Sequence, residues 1–333
     1  MSTPRKVRIA TRGSQLALWQ ANHVSSLLQS RGLSTELNII KTTGDRVQDR
    51  FLHEIGGKGL FVRELEEAMN ADQADIAVHS LKDLPAKIPA GFQLAAILPR
   101  HIPQDALIFN PKSLSRLKIP EAKFLNKADL KNLGKMTIAT ASLRRQALLK
   151  GIGDQIHLVP VRGNVDTRIR KLNEGDWDGL ILAGASLERL GLQDLPHRLL
   201  HDEWYVPCAA QGALAIETPA VSAFQKDLAA FSDPATFSCA TIERLILERL
   251  GGDCTMPFGA FFFADGTGYT VGRALVLDYE GQEARFEHRF KGLPQDLDRE
   301  ATCQIMMDGL KKAGVTTILQ TLKIKAPLLG DLA

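Results

Sequence analysis

Ser80, Lys82 and Asp83 place a hydroxyl, an ammonium and a carboxylate within four residues, directly behind the apolar run Ile76-Ala77-Val78. That run reads as a buried strand of a parallel sheet, and Pro85 blocks a long helix behind it. Ligands of open α/β sheets sit outside the carboxyl ends of strands, so these groups stand where a proton can be moved or a charge met. A polar turn that only caps a core strand accounts for them equally well.

Cations gather at equivalent places elsewhere. Residues 7–11 read as a first strand and a helix follows over 15–29, with Ala17, Ala21, Val24 and Leu28 at helical spacing and Ser14 as N-cap. Arg12 then lies between a strand end and a helix N-terminus, where free backbone N–H groups favour an anion, although a solvated arginine fits too. Arg144, Arg145, Arg162, Arg168 and Arg189 fall just after three further strands, over 136–140, 156–161 and 179–183, and Ser142 opens the helix carrying the first two. Guanidinium groups grip carboxylates and phosphates in a two-pronged fork, so five at matching places predict a ligand with several negative charges. Gly56-Gly57-Lys58-Gly59 lacks the P-loop spacing and its Lys-Ser/Thr ending, and reads as a mobile loop that brings Lys58 to a ligand. Cys254 lies in a loop bounded by Gly251-Gly252 and Pro257, a setting open to thiol chemistry, whereas Cys208, Cys239 and Cys303 read as packing residues.

The rest of the sequence must position these groups. Its 333 residues exceed one compact core and predict two or three domains. A hydrophobic content of 44% and a charged content of 24% are those of a soluble protein, and a net charge of +3 points to neither nucleic acid nor an anionic membrane. The four cysteines lack CxxC and metal spacings, which favours a reducing compartment and no metal. Residues 1–10 lack the apolar core of a signal peptide and no run reaches membrane-spanning length, so a cytoplasmic protein is expected.

Strand, polar turn and helix alternate through the first hundred residues and again over 136–189, the order of right-handed doubly wound parallel sheets. Strands are also predicted over 36–40, 92–98 and 106–109, and a helix over 60–69. Residues 110–135 are basic and irregular and read as an insertion or surface excursion, with no function attached. Ala209-Ala210-Gln211-Gly212-Ala213 is a small-residue stretch suited to a crossing between domains. A helix over 237–250 follows. Ala284, Phe286, His288 and Phe290 then alternate with charged residues as a half-exposed antiparallel strand, and a helix over 296–313 closes a small α+β domain.

Several of these segments together resemble the porphobilinogen deaminase, or hydroxymethylbilane synthase, family. They are Thr11-Arg12-Gly13-Ser14-Gln15-Leu16-Ala17, Gly56-Gly57-Lys58-Gly59-Leu60-Phe61 and Ala77-Val78-His79-Ser80-Leu81-Lys82-Asp83-Leu84-Pro85. Ser142-Leu143-Arg144-Arg145-Gln146, Val161-Arg162-Gly163-Asn164-Val165-Asp166-Thr167-Arg168, Gln211-Gly212-Ala213 and Gly252-Asp253-Cys254-Thr255-Met256-Pro257 continue the match in order over nearly the whole chain.

The resemblance implies head-to-tail polymerisation of four porphobilinogen molecules with release of four ammonias, giving hydroxymethylbilane for tetrapyrrole synthesis. It implies a dipyrromethane cofactor attached by thioether to the loop cysteine, Cys254. The fold implied is two periplasmic-binding-protein-like doubly wound α/β lobes plus a small α+β C-terminal domain, divided as 1–103 with about 209–233, then 104–208, then 234–333. By resemblance Asp83 is the catalytic aspartate and Lys58 the mobile-loop lysine. Arg12, Arg144, Arg145, Arg162, Arg168 and Arg189 bind carboxylates, with Ser14, Ser80, Lys82, Ser142 and Gln211 as helpers. A monomer acting on porphobilinogen, without nucleic-acid, membrane or metal partners, is implied.

Gly13, Gln15, Ala139, Ala141 and Glu54 depart from residues common in the family. The alanines remove one hydroxyl contact and Glu54 changes the charge of its loop, but no principal charged group is lost. Two rivals stand beside this reading. A non-enzymatic two-lobed anion-binding protein leaves Cys254 without purpose. A Schiff-base role for Lys82 needs a glycine/serine-rich phosphate cup that the sequence lacks.

Overall fold

Buried apolar residues alternate with half-buried ones at the start of β1 (Val7–Arg12), which ends where Ser14 caps the helix Gln15–Gln29. The Ser14 hydroxyl accepts from the Ala17 N–H at 3.3 Å, one of the donors that a helix start leaves open. The computed structural model describes residues 6–42, 62–252 and 256–324. The chain divides into two compact units, one of Met1–Arg100 and Ala213–Phe237, the other of His101–Gly212 and Ser238–Ala333.

In the first unit β1 is joined by β2 (Thr35–Ile40), β3 (Ile76–Ser80), β4 (Phe92–Ile97) and β11 (Leu214–Pro219), in the order β2-β1-β3-β11-β4. β1 runs parallel to β2 and β3, and β11 lies antiparallel between β3 and β4. Ile9 pairs with Ile76 and Ala10 with Ala77, so the two faces receive different side chains. Ile9, Ile76 and Val78 meet Ala21, Val24 and Leu28 of the long helix. Ala10 and Ala77, on the other face, meet Leu65 and Met69 of the helix Arg63–Asn70. Helices on both faces make this lobe doubly wound.

The second unit repeats the plan. Its strands are β5 (Asp105–Phe109), β6 (Phe124–Leu125), β7 (Met136–Ala139), β8 (Ile156–Val159), β9 (Gly179–Ala183) and β10 (His197–Leu200). They form a sheet in the order β6-β10-β5-β9-β7-β8, with β7 parallel to β8 and β9, and β5 antiparallel to β9 and β10. Read from β8 inward, order and direction match those of the first sheet, with β6 added at the edge. Met136, Ile138 and Ile181 pack with Leu148 and Leu149 of the helix Leu143–Lys150. On the opposite face Ala139, Leu180 and Leu182 pack with Leu172 of the helix Val165–Glu174.

β12 (Phe258–Ala264), β13 (Tyr269–Leu277) and β14 (Glu283–Lys291) form a separate antiparallel sheet. One face, with Ala274, Val276, Ala284 and Phe290, is covered by Ile242 and Ile246 of the helix Pro234–Arg249 and by Met306 and Leu310 of the helix Arg299–Lys312. The other face sends Phe261, Leu275 and Leu277 into the core that holds Leu148 and Tyr205. That shared core joins the three-stranded sheet to the six-stranded one within a single unit.

Three expectations change. Both lobes are mixed sheets, because β11 and β5 run against their neighbours, and an apolar run carries no mark of its direction. Residues 110–135 are no excursion: β6 pairs with β10, and the helix Lys127–Asn132 carries a capping box between Asn126 and Asp129. Leu117, Leu125, Leu130 and Leu133 from this stretch enter the lobe core. A further helix, Val315–Thr321, follows Arg299–Lys312. Among the described residues no helix is long and apolar enough to cross a membrane.

Candidate active site

Parallel β1 and β3 end at one edge of the first sheet, and the polar groups of both ends meet there. Arg12 closes β1, Ser80 closes β3, and the 3₁₀ turn Leu81–Asp83 follows at once. Leu81 is fully buried and donates its N–H to the Ala213 carbonyl at 3.0 Å, which pins the turn to the sheet. Pinned at its first residue and stopped by Pro85, the turn leaves Asp83 exposed. Arg12, Ser14, Gln20, His79, Ser80 and Asp83 line one cleft in this unit. Of the residues singled out in the sequence, Arg12, Ser14, Ser80 and Asp83 are thus brought together, and Lys82 is half-buried beside them.

Two residues of this cleft were missed in the sequence. Gln20 is buried and donates Nε2 to Ser80 Oγ at 2.8 Å. It falls on the apolar stripe Ala17, Ala21, Val24, where a polar side chain is an anomaly that could have been noticed. His79 is buried behind Ser80, and its Nε2 lies 3.0 Å from Oε2 of Glu217, itself fully buried on β11. Glu217 ends the apolar run Leu214-Ala215-Ile216.

In the second unit the parallel strands β7, β8 and β9 deliver three helix starts to one sheet edge. Arg144 and Arg145 lie in the first turn of one of them and are both buried. Arg144 donates to Asp105 Oδ2 at 2.6 Å and to the Val206 carbonyl at 2.7 Å. Arg145 donates to Asp105 Oδ1 at 2.6 Å and to the Ile181 carbonyl at 2.9 Å. Burial opposes the Arg144 charge, but Asp105 more than offsets this and holds the guanidinium above its ordinary range. Burial also pushes the Tyr205 hydroxyl up, Asp105 adding to the effect, so this phenol stays protonated beside Arg144.

Gln211 is fully buried and completes the group, donating Nε2 to Asp105 Oδ1 at 3.0 Å and to the Pro103 carbonyl at 2.7 Å. Its Oε1 lies 3.5 Å from Cys208 Sγ. Asp105 was not singled out in the sequence, although a carboxylate opening the strand Asp105–Phe109 is out of place beside an apolar run. Arg189 is buried and donates to the Gly212 carbonyl at 2.7 Å. Arg162 and Arg168 are half-buried, and Arg168 Nε donates to the Gly163 carbonyl at 2.7 Å. Ser142 stands at the N-cap without a side-chain capping bond. Lys58 and Cys254 lie outside the described residues.

A family model described as "Porphobilinogen deaminase, dipyromethane cofactor binding domain" matches residues 7–225. A porphobilinogen deaminase of Sulfurimonas denitrificans is 44% identical over 317 residues, covering 92% of this chain and 96% of that protein. One from Bordetella parapertussis is 40% identical over 314 residues, covering 93% and 95%. One from Syntrophomonas wolfei is 38% identical over 322 residues, covering 96% and 100%. Among solved structures, a probable amino-acid ABC transporter extracellular-binding protein of Bacillus subtilis aligns with 75% of this chain and 99% of its own, at 11% identity and a TM-score of 0.42. On the match of model and relatives across both units, the chain belongs to the porphobilinogen deaminase family.

Proposed function

We propose that the chain is a hydroxymethylbilane synthase, a transferase that joins four porphobilinogen molecules head to tail, releases an ammonia at each step and yields hydroxymethylbilane for tetrapyrrole synthesis. The observation that carries this reading is Asp83, an exposed carboxylate in the cleft it shares with Arg12. Each porphobilinogen bears an acetate and a propionate, and loss of its ammonia leaves an electron-poor carbon. Attack by the next pyrrole places positive charge on ring N–H groups. Asp83 stabilises that charge and takes part in proton transfer. Arg12 and Lys82 bind side-chain carboxylates, and Ser14 and Ser80 add hydroxyl contacts, Ser80 held in place by Gln20.

The residues of the second unit fit a dipyrromethane cofactor. Nε of Arg144 and Nε of Arg145 are buried donors with no hydrogen-bond partner among the described residues. The helices starting at Leu143 and Val165 have no side-chain cap, which leaves their first N–H groups open to carboxylates. Arg144, Arg145, Arg162, Arg168 and Arg189 hold its acid groups, Ser142 adds a hydroxyl, and Gln211 acts on the same site by bracing Asp105. Cys254 is the thioether anchor, and Lys58 is a further cation for the ligand's carboxylates. When bound, the cofactor supplies the free pyrrole carbon to which the first substrate is joined. The division is into 1–103 with about 209–233, which carries Asp83 and Arg12, 104–208, which carries the other five arginines, and 234–333, which carries the anchor. The enzyme works as a cytoplasmic monomer.

Intact mass of protein purified from cells that make porphobilinogen tests this reading. Wild type is expected to carry a dipyrromethane adduct and Cys254→Ser none. Unmodified, inactive wild-type protein would overturn it.

A further inference from the structure

Gln20 stands on the helix Gln15–Gln29, in the stripe of Ala17, Ala21 and Val24, and is 4% exposed. An amide buried at an apolar position costs free energy unless its hydrogen bonds are made. The one hydrogen bond of its side chain among the described residues runs from Nε2 to Ser80 Oγ at 2.8 Å, across 60 residues of chain. Gln20 and Ser80 both line the cleft, together with Arg12, Ser14, His79 and Asp83.

The direction of that bond decides what Ser80 offers a ligand. An amide nitrogen only donates, so Ser80 Oγ accepts, and the hydroxyl proton must point away from Gln20. Among the described residues this hydroxyl makes no other hydrogen bond. The backbone beneath it is fixed as well: Ser80 pairs with Leu214 of β11, and the Leu81 N–H is held by the Ala213 carbonyl. A serine hydroxyl with no such neighbour turns freely and donates or accepts as its partner requires. Arg12, in the same cleft, has donors and no acceptor, so a proton that Ser80 turns to the cleft joins a set suited to an anion.

We propose that Gln20 is a positioning residue: it fixes the Ser80 hydroxyl as a hydrogen-bond donor to a carboxylate of the incoming porphobilinogen. The inference rests on the synthase reading above and names a residue through which that site selects its substrate. Ionised acetate and propionate groups only accept, so a donor already turned toward them loses little freedom when they arrive. A bond of this kind, strengthened by the ligand's charge, favours the ionised acid over its ester.

The test is a double-mutant cycle on holoenzyme whose cofactor loading has been checked by intact mass. Gln20→Met keeps the side-chain length and removes the donor. KM for porphobilinogen is expected to rise several-fold in Gln20→Met and about tenfold in Ser80→Ala, with kcat changed much less in both. In the Ser80→Ala background Gln20→Met is expected to add nothing further to KM. A Gln20 that only ties helix to sheet would act independently of the hydroxyl, so KM effects that multiply, or an unchanged KM in Gln20→Met, would overturn the proposal. Should Gln20→Met fail to fold, Gln20→Glu carries the test, because its carboxylate draws the Ser80 proton to itself. KM is then expected to rise by a larger factor with Ser80 present than in the Ser80→Ala background, and equal factors would remove the proposed role. Wild-type turnover leaves the synthase reading intact in each of these cases. Absence of turnover in loaded wild-type enzyme would remove that reading, and this inference with it.

Discussion

Asp105 shows how a single buried carboxylate can set up a basic site. It is fully buried and receives one guanidinium on each oxygen, at 2.6 Å in both cases, with Gln211 added on Oδ1. Arg144 and Arg145 are adjacent on a helix, where consecutive side chains point about 100° apart, and one shared acceptor brings them back together. Losing the negative charge leaves two buried cations with nothing to balance them. Asp105→Asn is therefore expected to cost about 3–5 kcal/mol of stability, read as a lowered urea midpoint, because breaking a buried pair strands the partner charge. A midpoint within error of wild type would mean that the arginines find water or another acceptor. None of this was legible in the sequence, since 39 and 40 residues separate Asp105 from its partners. The His79–Glu217 pair, 138 residues apart, was equally hidden. Arg12, Ser80 and Asp83 were legible because a strand end announces itself locally.

At the scale of elements, the segment leading into β11 explains why small residues stand at 209–213. Ala210 has φ 60° and Gly212 φ 89°, both in the left-handed region. A Cβ at Gly212 would meet the His101 carbonyl oxygen at 2.6 Å, and that oxygen belongs to backbone that cannot swing away. The Gly212 carbonyl meanwhile accepts from Arg189 at 2.7 Å and from the His101 N–H at 3.1 Å. Gly212→Ala adds backbone strain and a clash at once, so a loss of about 2–3 kcal/mol is expected in denaturant unfolding. An alanine variant as stable as wild type would show that the segment can relax. The sequence reading took this stretch for a crossing, and the chain does leave one unit and enter the other after Gly212. What it could not supply was that the next six residues, Leu214–Pro219, form a strand inserted antiparallel between β3 and β4. Hydrophobic periodicity reports burial and spacing, while strand direction depends on partners far along the chain.

At the scale of the whole molecule, the net charge of +3 hides a division of labour among the cations. The two sheets share one strand order, and each presents the carboxyl ends of its parallel strands with arginines behind them. The alternation of strand and helix made that duplication readable, whereas the core-forming role of 110–135 needed tertiary contacts to appear. Arg144, Arg145 and Arg189 are buried, while Arg12, Arg162 and Arg168 are half-buried and open to mobile ions. Salt screens exposed charges over a Debye length of roughly 10 Å at 0.1 M and reaches buried ones far less. Under the carboxylate-binding reading, substrate capture depends on the half-buried arginines and the chemical step on Asp83. Raising the salt from about 0.05 to 0.5 M is then expected to increase KM for porphobilinogen several-fold and to change kcat much less. Equal effects on both constants would place salt-sensitive charges in the chemical step itself, and an indifferent KM would count against capture by Arg12, Arg162 and Arg168.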